Sequence, residues 1–336
     1  MNPGHRPRVF VTHSMAGLAR MVDRDPLAPL HERTECVVWP GPLQPEPRAL
    51  REAATDCEGL LCLLTDRVDG DVIGAARSLR VISSCSVGVD HIDVAAATAR
   101  GIRVGFTPGV LTETTADLAF ALLLAASRRI VEADGAVRSG AWTPDRRWQL
   151  DGFLGRDLHA STLGLVGLGP IAQAVASRAH GFGMRILGWS RSPHRLPGVE
   201  QVELDALLAG SDFVSVHVAL AEETHGLIDA DAFARIRPGA VLVNTSRGGI
   251  VDELALVAAL RSGRVAAAGL DVFATEPLPA DSPLLGLDNV VLTPHIGSAS
   301  TATRLRMADL AVENLLAGVL GRPLRDCAND AELAAR

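Results

Sequence analysis

The stretch that most constrains this chain is Thr162-Leu-Gly-Leu-Val-Gly-Leu-Gly-Pro-Ile-Ala172. Thr162 to Val166 are largely apolar and read as a buried strand. Gly167 and Gly169 then open a tight turn, and Pro170 stands at a first helical position with its φ already set for a helix. An Ala/Val-rich helix is predicted over Ile171 to Ala179. The order strand, G-x-G-x-x-A, helix is the dinucleotide fingerprint, with Ala172 in the third glycine position. Gly167 permits the sharp turn. Gly169 has no Cβ, so a pyrophosphate can approach the backbone, where exposed N–H groups and the helix dipole hold the anion.

Length and composition narrow what surrounds this unit. A chain of 336 residues suggests two domains, and 48% apolar residues are ample for packed cores. A net charge of −7 gives no hint of a nucleic-acid surface. No apolar run is long enough to span a membrane, and no signal-peptide pattern is present, so a cytoplasmic protein is expected. The five cysteines lack C-x-x-C spacing and read as free thiols in a reducing compartment, with no metal site. Lysine and tyrosine are both absent, all 32 basic residues being arginine. That excludes a Walker-A lysine, a Schiff-base lysine and a Tyr/Lys acid–base pair.

In chain order, strands are predicted at Arg8–Thr12, Cys36–Trp39, Gly59–Leu64, Arg80–Ser84 and Ile102–Gly105, with helices at Asp69–Arg77 and Asp90–Arg100. Alternating strands and helices argue for a parallel sheet covered on both faces. After the break at Thr107-Pro-Gly109, one long helix is expected from Thr112 to about Arg138, a hinge and dimer element, then a polar Trp-containing loop from Ser139 to Gly155. The fingerprint begins a second alternation. Its later strands are expected at Arg185–Trp189, Phe213–His217, Ala240–Asn244, Ala267–Asp271 and Val290–Leu292, and its helices near Leu204–Ala209, Ala230–Ile236 and Glu253–Arg261. A final helix, Ala299 to Leu320, is expected to return to the first domain, stopped by Gly321 and Pro323. The expected architecture is therefore α/β, with two doubly wound parallel sheets. A Rossmann nucleotide domain (107–297) is inserted into a flavodoxin-like substrate domain (1–106 and 298–336).

Polar residues follow three strands of the second alternation. Thr245-Ser-Arg247-Gly-Gly249 follows Asn244, Glu276-Pro277 comes soon after Asp271, and His295-Ile-Gly297 follows Pro294. Ligands bind at the carboxyl ends of parallel strands, so one arginine, one carboxylate and one histidine are delivered to one sheet edge. A 2-oxo acid has a carboxylate beside a ketone. Arg247 supplies a planar fork for the carboxylate and polarises the ketone oxygen. Reduction leaves that oxygen negative, and His295 is the natural proton donor near neutral pH. Glu276 would orient the imidazole and favour its charged form.

At this point the chain resembles the D-isomer-specific 2-hydroxyacid dehydrogenases. The resemblance rests on Ser86-Val-Gly88-Val-Asp90-His-Ile-Asp93, the Gly-Leu-Gly turn, Asn244-Thr-Ser-Arg247-Gly248, Gly269-Leu-Asp271-Val-Phe273 with Glu276-Pro277, and Thr293-Pro-His295-Ile-Gly297-Ser298. It runs from about Leu60 to Leu320 and is closest to the glyoxylate/hydroxypyruvate reductase branch through Leu60–Asp69 and Arg100–Ala119. It implies Arg247, Glu276 and His295 as catalytic residues, the N–H groups of Val87 and Gly88 as receivers of the substrate carboxylate, and Asp271 as holder of the nicotinamide carboxamide. The expected cofactor contacts are Gly167, Gly169, Pro170, Ile171, Ser190, Arg191, His217, Val218, Thr245, Ser246, Asp271 and Gly297. It also implies a cleft that closes on a small 2-oxo acid and a homodimer, with Trp142 or Trp148 as candidates to reach a partner's site. Pro170, Ala172 and Ala219 depart from the family's usual residues, and no regulatory C-terminal domain is expected. Phosphoglycerate-type dehydrogenases and nucleotide-sensing corepressors on this fold are the alternatives.

The cofactor follows from an absence. About 20 residues past the fingerprint an NAD enzyme presents Asp or Glu to the adenosine ribose. Here the stretch is Gly188-Trp-Ser190-Arg191-Ser192-Pro-His194-Arg195, with no acid. Arginine can pair with a 2′-phosphate, so NADPH is expected to be preferred, with NADH usable.

Overall fold

A computed structural model describes residues 5–192 and 196–335 of the chain. His194 and Arg195, which the sequence places near the cofactor, lie outside the described residues. The chain divides into two compact units, one formed by residues up to Leu111 together with those from Ser298, the other by Thr112–Gly297.

The first unit carries β1 (Arg8–Val11), β2 (Glu35–Val38), β3 (Gly59–Cys62), β4 (Val81–Ser84) and β5 (Arg103–Gly105). All pair in parallel, in the order β2-β1-β3-β4-β5, which is the flavodoxin-like arrangement. Successive side chains serve opposite faces. Phe10, Leu60, Ile82 and Val104 meet the helices Pro47–Ala54, Gly70–Ala75 and Val94–Ala99. Val9, Val11, Leu61 and Val81 meet Ala16–Val22, Ala28–Arg33 and Thr301–Val319. The last helix lies close because its facing residue is small: a Cβ on Gly318 would stand 2.5 Å from that of Val81.

The second unit carries β6 (Thr162–Val166), β7 (Arg185–Trp189), β8 (Glu200–Gln201), β9 (Phe213–Val216), β10 (Ala240–Asn244), β11 (Val265–Leu270) and β12 (Val290–Leu292). The order is β12-β11-β10-β9-β6-β7-β8, again all parallel. Leu163, Leu165, Val241 and Val243 pack under the helices Thr112–Ser127 and Pro170–Gly181. Val214, Val216, Leu242 and Leu270 pack under Leu204–Gly210, Ala230–Arg235 and Glu253–Arg261. Two doubly wound parallel sheets are the expected class.

Two expected elements differ. The helix from Thr112 is not continuous to Arg138: it stops at Ser127, and a second helix runs Ile130–Arg138. The reason is tertiary. The Arg156 N–H donates to the Ser127 carbonyl at 2.8 Å, capping the helix end from far along the chain. Gly155 fits only because it lacks a Cβ, which would lie 2.2 Å from that carbonyl oxygen. Arg129 then turns into the left-handed region at φ 54°. The helix expected from Asp90 begins only at Val94, because Asp93 caps it through the Ala96 N–H at 2.8 Å. Asp90 and His91 form a turn before it, and Ile92 bridges Val68 in parallel. The short helices Ala16–Val22, Ala28–Arg33 and Pro47–Ala54, and the two-residue β8, are additions to the expected pattern.

Candidate active site

The nucleotide turn is built at the point where the strand order of the second sheet reverses, between β6 and β9. Gly167 takes φ +99°, and a Cβ there would meet the His217 carbonyl carbon and the Val218 nitrogen at 2.8 Å. Only glycine lets the two loops touch. Gly169 caps the Pro170–Gly181 helix in extended backbone, and nothing lies within 4 Å of where its Cβ would be. The space above this helix start is thus open to an anion, with Pro170 at the first helical position and Ile171 following it.

The neighbouring loops are cross-tied. Ser246 Oγ donates to the Val218 carbonyl, and the Ser246 N–H donates to Asn244 Oδ1 at 3.0 Å. Thr245 Oγ1 is buried without a partner among the described residues, a polar atom left for a ligand. His217 Nε2 lies 2.8 Å from Ser215 Oγ. Desolvation pushes His217 down to about 4, which keeps the ring neutral at pH 7. Beyond β7 there is no carboxylate at the expected ribose position: Ser190 Oγ donates to the Ser192 carbonyl at 2.5 Å, and Arg191 is exposed. These residues line the helix start and the strand ends where a dinucleotide binds on such a sheet.

The ends of β10, β11 and β12 bring Arg247, Glu276 and His295 together. Arg247 begins the short helical turn Gly248–Ile250, and its carbonyl accepts from Asn244 Nδ2 at 2.9 Å. A Cβ on Gly248 would lie 1.8 Å from the Phe273 carbonyl carbon, so the turn after β10 presses on the loop that carries Glu276. Glu276 Oε1 accepts from the Phe273 N–H at 3.0 Å, and Oε2 lies 2.7 Å from His295 Nδ1. Burial would raise the Glu276 carboxyl. The hydrogen bonds from His295 and Phe273, and the charges of His295 and Arg247, more than reverse that and hold it below its usual range. Since Nδ1 is engaged, Nε2 is the ring atom left to face a substrate.

Asp271 has a structural duty that the sequence reading did not anticipate. It is fully buried, its Oδ1 accepts from Thr293 Oγ1 at 2.6 Å and the Ile296 N–H at 2.8 Å, and its Oδ2 accepts from the Gly297 N–H at 2.8 Å. Thr115 ties the same turn through the Gly297 carbonyl at 3.1 Å. His295 itself sits at φ +53°, a left-handed conformation unusual for a residue with a side chain. Three bonds to one buried carboxylate hold it there. Glu253 is a further residue missed from sequence: its Oε1 accepts from the Ala274 N–H at 2.5 Å, steadying the Glu276 loop from 21 positions away. No local pattern signals either duty.

Val87 and Gly88 belong to the first unit, just beyond β4. Their loop is braced from within: Ser86 Oγ donates to the Gly88 carbonyl at 2.6 Å and lies 2.6 Å from Ser84 Oγ, which in turn meets His91 Nε2 at 3.0 Å.

A dinucleotide-type sheet ending in an arginine, a carboxylate and a histidine defines a class, and comparison with known proteins agrees. Residues 120–297 match the D-isomer specific 2-hydroxyacid dehydrogenase, NAD binding domain. The chain is 50% identical over 316 residues to a glyoxylate reductase of Korarchaeum cryptofilum, spanning 93% of this chain and 92% of that one. It belongs to the D-isomer specific 2-hydroxyacid dehydrogenases and is an NAD(P)-dependent oxidoreductase. Among solved structures it resembles a protein of Thermus thermophilus, with a TM-score of 0.87 and 46% identity over 96% of this chain and 99% of the other. It also resembles an NADPH-dependent glyoxylate/hydroxypyruvate reductase of Sinorhizobium meliloti, crystallised with NADP and malonate, with a TM-score of 0.86 and 34% identity over 98% of each chain. Among the described residues, no helix is long and apolar enough to cross a membrane.

Proposed function

We propose that this enzyme reduces glyoxylate or hydroxypyruvate to the 2-hydroxy acid, D in configuration where a stereocentre forms, with NADPH preferred over NADH. The observation that carries the reading is the 2.7 Å contact between His295 Nδ1 and Glu276 Oε2, at the strand ends that also present Arg247. The nicotinamide supplies the hydride. His295 Nε2 gives the proton to the developing alkoxide, Glu276 holds the ring in that orientation, and Arg247 pairs with the carboxylate and polarises the ketone.

The cofactor reading is supported by the open space at Gly169, the unpartnered Thr245 hydroxyl and an arginine, not an acid, after Ser190. The names of the Korarchaeum and Sinorhizobium relatives point to the same substrates. A homodimer is the proposed assembly. Ile130, Val131, Val137, Trp142, Trp148 and Leu150 are each at least half exposed within one short stretch, a concentration of apolar surface that a second copy would cover. The proposed compartment is the cytoplasm, where the free thiols of all five cysteines would persist.

An initial-rate panel tests the reading, with glyoxylate, hydroxypyruvate, pyruvate and phosphohydroxypyruvate each assayed against NADPH and NADH. Turnover highest with the first two supports it. Turnover highest with the phosphorylated acid, or none at all alongside tight dinucleotide binding, sinks it.

A further inference from the structure

Resting on the reading that Arg191 meets the 2′-phosphate, we propose that Glu223 is a specificity-determining residue that weakens the preference for NADPH by competing for that arginine. Arg191 Nη1 lies 3.3 Å from Glu223 Oε2, with the two side chains 56% and 67% exposed. The two residues sit in unlike settings. Glu223 is in the short helical turn Glu222–Thr224, which is held firmly by Thr224. The Thr224 hydroxyl is buried, donates to the Ala219 carbonyl at 2.7 Å and accepts from the Ala221 N–H at 2.8 Å, while the His225 N–H closes on the Ala221 carbonyl at 2.9 Å. The carboxylate of Glu223 therefore stands on a fixed base beside the ribose-side loop.

The consequence is a trade between anions. A 2′-phosphate, carrying nearly two negative charges, must draw Arg191 away from Glu223 or share it, and it also feels Glu223 directly. A cofactor with a free 2′-hydroxyl leaves the ion pair intact and loses nothing. Glu223 thus levels the two cofactors without contacting the nicotinamide end. Exposed pairs are weak and salt-screened, so the effect is a modest one that ionic strength can erase.

Direct titration of each reduced cofactor by its fluorescence on the intact enzyme tests this without relying on turnover. Glu223→Gln should tighten NADPH binding about three- to tenfold, leave NADH within about twofold, and lose most of the gain in about 0.5 M salt. Arg191→Ala is the parallel arm and should weaken NADPH selectively. If Arg191→Ala weakens NADPH but Glu223→Gln changes nothing, the role of Glu223 is overturned and the Arg191 reading stands. If Glu223→Gln weakens NADPH, the glutamate is ordering the arginine for the phosphate, and competition is likewise overturned. If Arg191→Ala leaves NADPH binding unchanged, the underlying reading fails and this proposal with it. An unchanged melting curve for Glu223→Gln, expected for an exposed side chain on a turn held by Thr224, shows that folding is not what is being measured.

Discussion

Two edges of the second sheet are held in contrasting ways. At the ends of β11 and β12 the His295 loop hangs on Asp271, a buried carboxylate with three donors, and the ring is pinned by Glu276 at 2.7 Å. Past β7, Arg191 is exposed and touches one carboxylate at 3.3 Å. The first edge is over-determined, so a non-glycine residue stays at positive φ there. The second is governed by surface charge in water. Proton transfer tolerates little positional error, whereas a choice between two cofactors can be made by the balance of a few solvated charges.

The sharpest way to break this contrast is at the first edge. His295→Ala should lower kcat for glyoxylate reduction by roughly 10²–10⁴, the range for a lost general acid, with NADPH affinity nearly unchanged. A variant keeping half the wild-type kcat at pH 7 would end the assignment. Arg247→Lys comes next. The charge remains but the fork is lost, and losing one charge-assisted bond costs about 1.5–3 kcal/mol, or roughly 10–100-fold in kcat/KM for the oxo acid. Equal losses in cofactor affinity would instead make Arg247 a cofactor or structural residue.

The second edge should respond more gently. Arg191→Ala is expected to remove most of an NADPH preference of about tenfold in kcat/KM, with kcat at saturating cofactor preserved. A wild-type enzyme that uses NADH as well as NADPH would refute the preference while leaving the dehydrogenase intact. The smallest effect is a change in pH profile from Glu276→Gln. The Glu276 carboxyl is held below its usual range, so it is ionised throughout the working pH and falls out of that state only in acid. With that charge gone, the protonated imidazole loses its partner, and the alkaline limb of kcat/KM should move to lower pH. Superimposable profiles, measured where chemistry limits the rate, would remove Glu276 from the proton-donating unit.

Much of this was readable along the chain because the signals are local. The strand at Thr162–Val166, the Gly167 turn and the Pro170 helix start involve contiguous residues whose backbone preferences agree. The arginine, carboxylate and histidine could be placed at one sheet edge because parallel strands deliver their following loops to the same side. The helix break after Ser127 was not readable, since its cause is an N–H from Arg156. Neither was the start of the helix at Val94, where the Asp93 N–H donates to the Val68 carbonyl at 2.9 Å and ties the preceding turn to the Val68 loop.

The sequence by itself therefore determined the fold class, the dinucleotide turn and the chemical inventory: which acid, base and cation are present, and that lysine and tyrosine are not. Only the tertiary structure decided how those groups are held. It turned Asp271 inward onto Thr293, Ile296 and Gly297, set Glu253 under the Glu276 loop, and brought Glu223 beside Arg191 across 32 residues of chain. The physical reason is range. Backbone preference and side-chain periodicity act over a few residues, whereas the pairing of buried or charged groups depends on which loops the sheet brings together.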